Sequence, residues 1–536
     1  MKKKLLLILL VLCQGFLHAQ QDAWVYLTDK ENVASSIANP ITILSQNAIN
    51  RKNAHAIPID ARDVPVNENY ITQLKAQTGI TVKAKSKWFN AVHVRGSEAD
   101  INALAVLSFV DHIDFADKGL NTAGRSSSQQ DKFEVEETSV NFTYGNSQNQ
   151  IQMLNLDNLH IADYTGEGIV IAVLDAGFPN VNTMSSFQRL RDNNDLLDGY
   201  DFVTRNSNVY AYTGNTHGTK VLSDMAGFIQ DQFVGTAPDA SYYLFRTEDG
   251  ATENPVEESY WVEAAERADS LGVHIINSSL GYTTYDNPNY SYTPSDMDGN
   301  TAYITKGANI AVEKGILVVN SAGNSGNGAW QIVGAPADAA NVLSIGAVDA
   351  AGNYASFSSR GNATQPTQKP DVVAQGASPF VINENDGIEN NNGTSFSSPI
   401  MAGAVACLMQ AAPTLSVEQI KQFIRMSASQ YATPDFFLGY GIPDFDLALT
   451  LALSVEEETY STIKIFPNPV NDILQIQLPL ETNSELIIYD VLGKVVFEQY
   501  VNRSLNQIDM STMSSGLYLL RISSETTTKT FKLVKQ

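Results

Sequence analysis

Cysteine and positive charge are both scarce in this chain of 536 residues. Cys13 and Cys407 are the only cysteines, and Lys and Arg number 34 against 58 Asp and Glu, a net charge of −24. Phosphate binding needs clustered positive charge, so this balance argues against nucleic acid as the main partner. Hydrophobic residues make up 43% of the chain and charged residues 17%, proportions that exclude a disordered protein and are typical of folded domains.

Long hydrophobic runs are also missing. The apolar run at residues 5–12 falls far short of the roughly 20 residues that span a bilayer. It follows three lysines and precedes a small residue, Ala19, which together indicate a secretory signal peptide over residues 1–19. A membrane anchor and a lipoprotein modified at Cys13 are weaker alternatives, the second because the bulky Leu12 precedes the cysteine. We therefore expect an exported, soluble mature chain that has no transmembrane segment and, with Cys407 alone, no intrachain disulfide.

The rest of the chain divides into four segments. Residues 20–120 mix polar stretches with short strand-like runs, and the polar residues 121–145 predict a linker of the kind that proteases cut. Residues 146–450 alternate apolar runs such as 169–174 with helical stretches, which predicts a parallel sheet with right-handed crossovers. Residues 462–536 show the alternation of short antiparallel strands and predict a small β-sandwich.

Three polar residues in the third segment lie at turns beside glycines. They are Asp175, directly after the run 169–174, His217, and Ser395, which precedes an apolar helix. Taken singly, Asp175 is interpreted as a strand-end residue, His217 as a packed or surface histidine, and Ser395 as a helix cap. Because the turns at the carboxyl ends of parallel strands collect on one edge of the sheet, we expect the three to lie together. A carboxylate, a base and a hydroxyl are the set that acyl transfer needs.

A possible oxyanion donor follows a further strand. Asn324 comes shortly after the apolar run 316–319, and its side-chain amide could donate to a developing negative charge. The helix behind Ser395 adds a positive dipole end at the same place. The other interpretation of Asn324 is a turn residue with an unusual backbone angle.

The motifs around these residues resemble those of the subtilisin-like serine proteases. They are Leu174-Asp175-Ala176-Gly177, His217-Gly218-Thr219-Lys220-Val221, Ser279-Leu280-Gly281, Ala322-Gly323-Asn324 and Gly393-Thr394-Ser395-Phe396-Ser397-Ser398-Pro399. Their order along the chain is that of the family, and the resemblance covers about residues 150–445. It implies an α/β fold built on a subtilisin-like doubly wound parallel sheet, and a secreted serine endopeptidase that needs no cofactor for catalysis.

The resemblance also implies roles for individual residues. Ser395 would attack the peptide carbonyl, His217 would act as base and then as acid, Asp175 would hold the imidazole, and Asn324 would stabilise the oxyanion. The substrate pocket would be walled by Ser278, Ser279, Leu280, Gly281, Ala322 and Gly323, with Gly334 and Pro336 at its floor. A glycine floor implies a deep, uncharged pocket, and a long polar insertion at 282–300 would reshape the rim of the cleft.

The flanking segments resemble two other modules. Residues 84–114 resemble the subtilisin-type inhibitory propeptide, which makes the chain's own propeptide an expected partner; any small α+β module is the alternative. From Ile465-Phe466-Pro467-Asn468-Pro469 to the basic end at 532–535, the last segment resembles the sorting domain of the type IX secretion system. That implies the type IX machinery as a partner and an extracellular or cell-surface location in a Gram-negative bacterium; an adhesive or carbohydrate-binding sandwich is the alternative.

Two questions stay open from the sequence. Clustered carboxylates suit structural calcium, but an acidic secreted protein has many such runs, which favours a solvated surface; the carboxylates are Asp192, Asp195, Asp198, Asp201, Asp296 and Asp298. The second question is the activity: a catalytically silent binding protein and a maturation protease with one dedicated target are the alternatives to an endopeptidase acting on proteins and peptides.

Overall fold

The computed structural model describes residues 20–120, 142–461, 464–478, 484–490, 494–501, 505–524 and 528–536. The signal peptide predicted at 1–19 lies outside the described residues, and so do residues 121–141 of the predicted linker. The chain forms two compact units that divide between Leu449 and Thr450.

The first unit begins with a small antiparallel sheet flanked by helices. The strands are β1 Gln20–Leu27, β2 Thr81–Ser86, β3 Ala91–Ser97 and β4 Val110–Phe115, in the order β2-β3-β1-β4. The helices are α1 Val33–Ala38, α2 Gln46–Ala54, α3 Glu68–Lys75 and α4 Glu98–Ala103. Because successive strand residues point to opposite faces, Val25 joins a core with Ile71 and Ile101. Trp24 faces the other way and stacks on Tyr303 of the following domain at 4.5 Å.

A seven-stranded parallel sheet forms the centre of the unit. Its strands are β5 Val170–Asp175, β6 Leu196–Asp201, β9 Ser241–Arg246, β10 Ile275–Ser278, β11 Leu317–Ser321, β12 Leu343–Val348 and β13 Val372–Gln375. Short antiparallel pairs accompany it: β7 Phe228–Ile229 with β8 Phe233–Val234, and β14 Ala377–Ile382 with β15 Ile388–Asn392. All residues of β10 to β13 are buried, as expected for strands covered on both faces.

The helices that accompany this sheet along the chain are α5 Gln148–Gln152, α6 Leu156–Ile161, α7 Gln188–Asp192, α8 His217–Ala226, α9 Val256–Leu271, α10 Tyr303–Glu313, α11 Thr394–Ala411, α12 Val417–Ser427 and α13 Phe445–Ser461. Of these, α8, α9, α10 and α11 contact strands of the sheet, and α13 continues past the division between the two units. Helix α8 packs against α11, and α9 against α10. No described helix combines the length and apolar composition needed to cross a bilayer.

The strand order fixes where a site can form. It runs β13-β12-β11-β10-β5-β9-β6, so the chain builds to one side of β5 and then crosses back to the other. Such a reversal leaves a crevice at the carboxyl ends of the two strands that flank it, here β5 and β10. The doubly wound parallel sheet predicted from the sequence is confirmed, and its crevice lies where Asp175 ends β5.

The second unit consists of two antiparallel sheets. One has the order β16-β17-β20 and the other β19-β18-β21-β22, with bounds Lys464–Phe466, Ile473–Gln477, Ser484–Asp490, Val495–Val501, Leu505–Asp509, Gly516–Ser524 and Thr528–Lys535 for β16 to β22. Leu474 and Ile476 of the first sheet share a core with Leu486, Ile488 and Leu520 of the second. This is the small β-sandwich that the sequence predicts.

Candidate active site

Asp175 and His217 meet at the carboxyl end of β5. Asp175 is fully buried, and Nδ1 of His217 lies 2.8 Å from its Oδ1 and 3.0 Å from its Oδ2. Gly218 allows this close packing, because an added Cβ would lie 2.6 Å from the carbonyl oxygen of Gly177. An ionised carboxylate can only accept, so Nδ1 carries the proton and Nε2 is the basic nitrogen.

The surroundings of His217 raise its pKa above the ordinary value. Burial favours the neutral ring and lowers the pKa, but the charge of Asp175 and its hydrogen bond to the ring stabilise the imidazolium and outweigh burial. Lys220, nearby on α8, acts in the opposite sense and lowers the pKa. A raised pKa suits a side chain that must accept a proton near neutral pH.

Ser395 stands in the first turn of α11, beside this pair. It is 9% exposed, and the ring of the next residue, Phe396, has its centroid 5.8 Å from that of His217. Among the described residues, the Ser395 hydroxyl donates to the carbonyl of Ser279 at 3.4 Å, and the Ser279 hydroxyl donates to the carbonyl of Ser395 at 2.9 Å. The first bond is long and therefore weak, so the Ser395 hydroxyl can exchange the Ser279 carbonyl for another acceptor.

Asn324 lies at the same edge with its amide held in one orientation. Its Oδ1 accepts from the backbone N–H of Thr394 at 2.9 Å and from the Thr394 hydroxyl at 3.0 Å. The Thr394 hydroxyl also accepts from the N–H of Gly323 at 3.1 Å. Because the amide oxygen is engaged, Nδ2 is the atom left to face a substrate, next to the N-terminal turn of α11, which is the positive end of the helix dipole.

The predicted pocket walls follow β10 and β11. The hydroxyl of Ser278 accepts from the indole of Trp261 at 3.0 Å inside the core, so only its backbone can meet a substrate. Ser279 is nearly buried, Leu280 is half-buried and Gly281 is exposed, which leaves the chain after β10 as an open edge for an extended peptide.

The predicted floor is apolar and closely packed. Ala322 forms a small buried cluster with Val333 and Ala337. Gly334 is buried, and an added Cβ there would lie 2.9 Å from the Thr283 methyl group. None of these side chains carries a charge, in keeping with the uncharged pocket that the resemblance implies.

A tyrosine–glutamate pair beside the cleft was not expected from the sequence. Tyr282 is buried and its hydroxyl donates to Glu248, which follows β9. Burial raises the pKa of Glu248 to about 8, and burial together with the charge of Glu248 raises the pKa of Glu257 to about 9. Burial therefore favours the protonated form of both carboxyls. No sequence pattern marks this pair, because its members lie on separate elements.

The carboxylates considered for calcium are engaged with protein groups. Asp201 pairs with Arg246 at 2.9 Å, Asp198 with Arg267 at 2.9 Å, and Asp296 with Lys118 at 2.9 Å. Among the residues that the structure describes, no group of three or more His, Cys, Asp and Glu side chains is arranged to hold a metal ion. Structural calcium therefore stays a sequence-based prediction that this geometry does not favour.

Comparison with known protein families finds three modules along the chain. A family model described as the subtilase family matches residues 166–441, more than half of the chain. A model described as the peptidase S8 propeptide domain of Bacteroidota matches residues 22–134, and one described as a secretion system C-terminal sorting domain matches residues 464–536.

Individual relatives are similar over the central segment. Subtilisin DY of Bacillus licheniformis is 30% identical over 300 residues, which cover 56% of this chain and 97% of that protein. Subtilisin E of Bacillus subtilis (strain 168) is 31% identical over 294 residues, 54% of this chain and 68% of that protein. Among solved structures, MycP1 from the ESX-1 type VII secretion system has 23% identity and a TM-score of 0.45, covering 59% of this chain and 90% of that chain.

Proposed function

We propose, since this chain belongs to the subtilase family of serine endopeptidases, that Asp175, His217 and Ser395 are its catalytic triad. The observation that carries the proposal is the 2.8 Å contact between Nδ1 of His217 and Oδ1 of Asp175, with Ser395 on the adjacent helix start. A buried carboxylate, an oriented imidazole and a serine at one sheet edge supply the groups that acyl transfer needs.

The proposed reaction uses only groups of the chain. The Ser395 hydroxyl leaves the Ser279 carbonyl, gives its proton to Nε2 of His217 and attacks the substrate carbonyl carbon. The oxyanion accepts from Nδ2 of Asn324 and from the backbone N–H of Ser395. His217 then protonates the leaving amine, which breaks the peptide bond and leaves an acyl-enzyme. Water, deprotonated by His217, hydrolyses that ester and restores the serine.

Substrates would bind along the open edge after β10. We place the side chain before the cut between the segments 278–281 and 322–324, above Gly334 and Pro336. Support comes from the exposure of Gly281 and from the apolar cluster behind Ala322. The substrates are proteins and peptides, and no cofactor takes part.

The chain is a zymogen with a secretion sorting domain. We propose its boundaries as a signal peptide at 1–19, a propeptide at 20–120, a linker at 121–145, a peptidase domain at 146–450 and a sorting domain at 462–536. The propeptide would act as inhibitor until the linker is cut and the propeptide leaves the peptidase domain. The sorting domain would be read by the type IX machinery and would direct the enzyme to the outside or the surface of a Gram-negative cell.

Digestion of a random peptide library tests this function. We expect the processed enzyme to cut many sequences and the Ser395→Ala variant to cut none. Ser397→Ala is the matched control, since that hydroxyl donates to the Thr394 carbonyl within the same helix. Cleavage of one narrow sequence would indicate a dedicated maturation protease, and no cleavage by the wild type would indicate a silent binding protein.

A further inference from the structure

Part of the propeptide leaves its own sheet and packs on the peptidase domain. This part is residues 28–66, between β1 and α3, and it lies outside the stretch 84–114 that resembles the inhibitory module. Helix α2 within it is capped by Ser45, whose backbone N–H donates to the carbonyl of Ser270 at 2.9 Å. Helix α2 is therefore anchored to the end of α9.

Two adjacent cations of α2 enter the peptidase domain. Arg51 donates to the carboxylate of Asp269 at 2.6 Å and to the carbonyl of Lys314 at 2.6 Å. The ammonium group of Lys52 lies 2.7 Å from the same Asp269 carboxylate. Arg51 is 4% exposed, and Lys52 and Asp269 are not exposed at all. Arg and Lys side chains are rarely buried so completely unless they are paired. We therefore regard this contact as specific.

The charges continue in an alternating network. Lys314 of the peptidase domain contacts Asp63 at 2.8 Å and Asp60 at 3.0 Å, both from the propeptide. Lys52 closes the network on Asp63 at 3.1 Å. Each domain thus supplies both a cation and a carboxylate, and every member of the network is paired across the boundary.

The peptidase surface is shaped to receive this segment. Gly272 ends α9, and an added Cβ there would lie 2.7 Å from the backbone nitrogen of Ala48. Gly315 follows α10, and an added Cβ there would lie 2.0 Å from Cδ1 of Ile57. At Gly272 a side chain would collide with the propeptide backbone, whereas at Gly315 it would force the Ile57 side chain to shift. The last carbonyls of the two helices also favour a cation at this position.

The position of these helix ends separates them from the proposed catalytic site. Helices α9 and α10 lead into the beginnings of β10 and β11, whereas Asp175 and Ser279 lie where parallel strands end. Strand beginnings and strand ends are opposite edges of a parallel sheet. At about 3.3 Å per residue, the distance along β10 from residue 273 to residue 279 is about 20 Å.

We propose that Asp269, Gly272, Lys314 and Gly315 form an exosite for a helix that carries an adjacent Arg-Lys pair. In the precursor the occupant is α2 of the chain's own propeptide, and its occupancy keeps the propeptide on the peptidase domain after the linker is cut. The inference rests on the proposed function only in assuming that maturation cuts the linker. Each buried charge depends on its partner across the boundary, so losing one partner leaves an unpaired buried charge and weakens the hold on the propeptide. Salt screens buried charge pairs only weakly, so high salt does not release the propeptide.

Dissociation of the cut propeptide tests the exosite. Every protein carries Ser395→Ala and a recognition sequence for an added protease within residues 121–141, so the result does not depend on the activity of the chain. After the linker has been cut, the peptidase domain is immobilised. The rate at which the propeptide dissociates from it is then measured with and without 1 M NaCl. We expect Asp269→Asn to speed dissociation about a hundredfold, because it leaves buried cations without their partner. Asp111→Asn is the matched control, since Asp111 pairs with His112 on the exposed surface of the propeptide. It should leave the rate within about twofold.

A milder variant covers the case in which Asp269→Asn does not fold. Arg51→Gln leaves Lys52 to neutralise Asp269, and we expect it to dissociate about tenfold faster than the parent. Equal rates for Arg51→Gln and the parent, or a parent released by 1 M NaCl, would overturn the exosite. Loss of peptidase activity in the wild type with the expected release rates would instead contradict the proposed function and leave the exosite standing.

Discussion

Thr394 donates both its backbone N–H and its hydroxyl to the side-chain oxygen of Asn324, at 2.9 and 3.0 Å. The residue before the proposed nucleophile thus holds the proposed oxyanion donor in place. With only one of these two hydrogen bonds, the Asn324 amide could rotate about that bond. The pair fixes which end of the amide meets the substrate.

Thr394→Ala should therefore slow turnover without weakening substrate binding. It removes one orienting bond of about 1 kcal/mol, so we expect kcat to fall about fivefold while KM is unchanged. Thr394→Ser keeps the hydroxyl and should restore kcat. For comparison, Asn324→Ala should cost about 10²–10³ in kcat. A Thr394→Ser variant as slow as Thr394→Ala would show that the methyl group, and not the orienting bond, matters.

The dependence of kcat/KM on pH should report the His217–Asp175 contact. Activity needs neutral His217, and Asp175 raises the pKa of His217 above its ordinary value, so activity is lost as pH falls through that raised pKa. Asp175→Asn removes the charge that raises the pKa and leaves the burial that lowers it. We expect the acid limb of the profile to move to lower pH and the maximum rate to fall about 10⁴-fold.

Lys220→Gln supplies the opposite shift. Lys220 lowers the pKa of His217, so its removal should move the acid limb to higher pH with little loss of maximum rate. An acid limb that stays fixed in both variants would mean that another group controls the profile.

The residue before the cut should be large and uncharged. Burying a Leu or Phe side chain over the apolar floor gains about 1.5–3 kcal/mol, whereas burying an unpaired Arg costs several kcal/mol. Peptides that differ only at this position should be cut about a hundredfold faster with Phe or Leu than with Arg. Faster cleavage after Arg would point to Asp286, Asp296 or Asp298 of the insertion 282–300; Asp296 pairs with Lys118 of the propeptide in this structure.

Deleting residues 462–536 should block export and spare hydrolysis. The deleted strands have their own core in the second unit, and the residues proposed as the triad lie in the first. In the native host we expect active enzyme to accumulate in the periplasm, measured by activity in fractionated cells. The purified truncated enzyme should match the full-length enzyme in kcat/KM. Normal secretion of the deletion variant would contradict a sorting role for this segment.

The sheet and the meeting of Asp175, His217 and Ser395 could be predicted because local pattern and tertiary role coincide. The run at 169–174 becomes β5 at Val170–Asp175, and the run at 316–319 becomes β11 at Leu317–Ser321. Each strand extends beyond its apolar run because hydrogen bonding continues into the polar residues at the sheet edge. Those added residues, Asp175 and Ser321, are the ones that reach the crevice.

Burial of polar groups is what the sequence could not reveal. Arg51 and Lys52 read as surface residues, since their partners Asp269 and Lys314 lie more than 200 residues away. The insertion 282–300 reads as polar, yet its tyrosines are buried; the hydroxyls of Tyr285 and Tyr292 both donate to Glu258. Such pairs are set by tertiary contacts, which periodicity and composition do not encode.

The most direct test of the central claim is covalent labelling of the processed enzyme with a fluorophosphonate, which reacts only with an activated serine. We predict one label, located by mass spectrometry on Ser395, abolished by His217→Ala and retained in Ser397→Ala. Label on another serine, or no label on a folded wild-type enzyme, would contradict the assignment of Asp175, His217 and Ser395 as a catalytic triad.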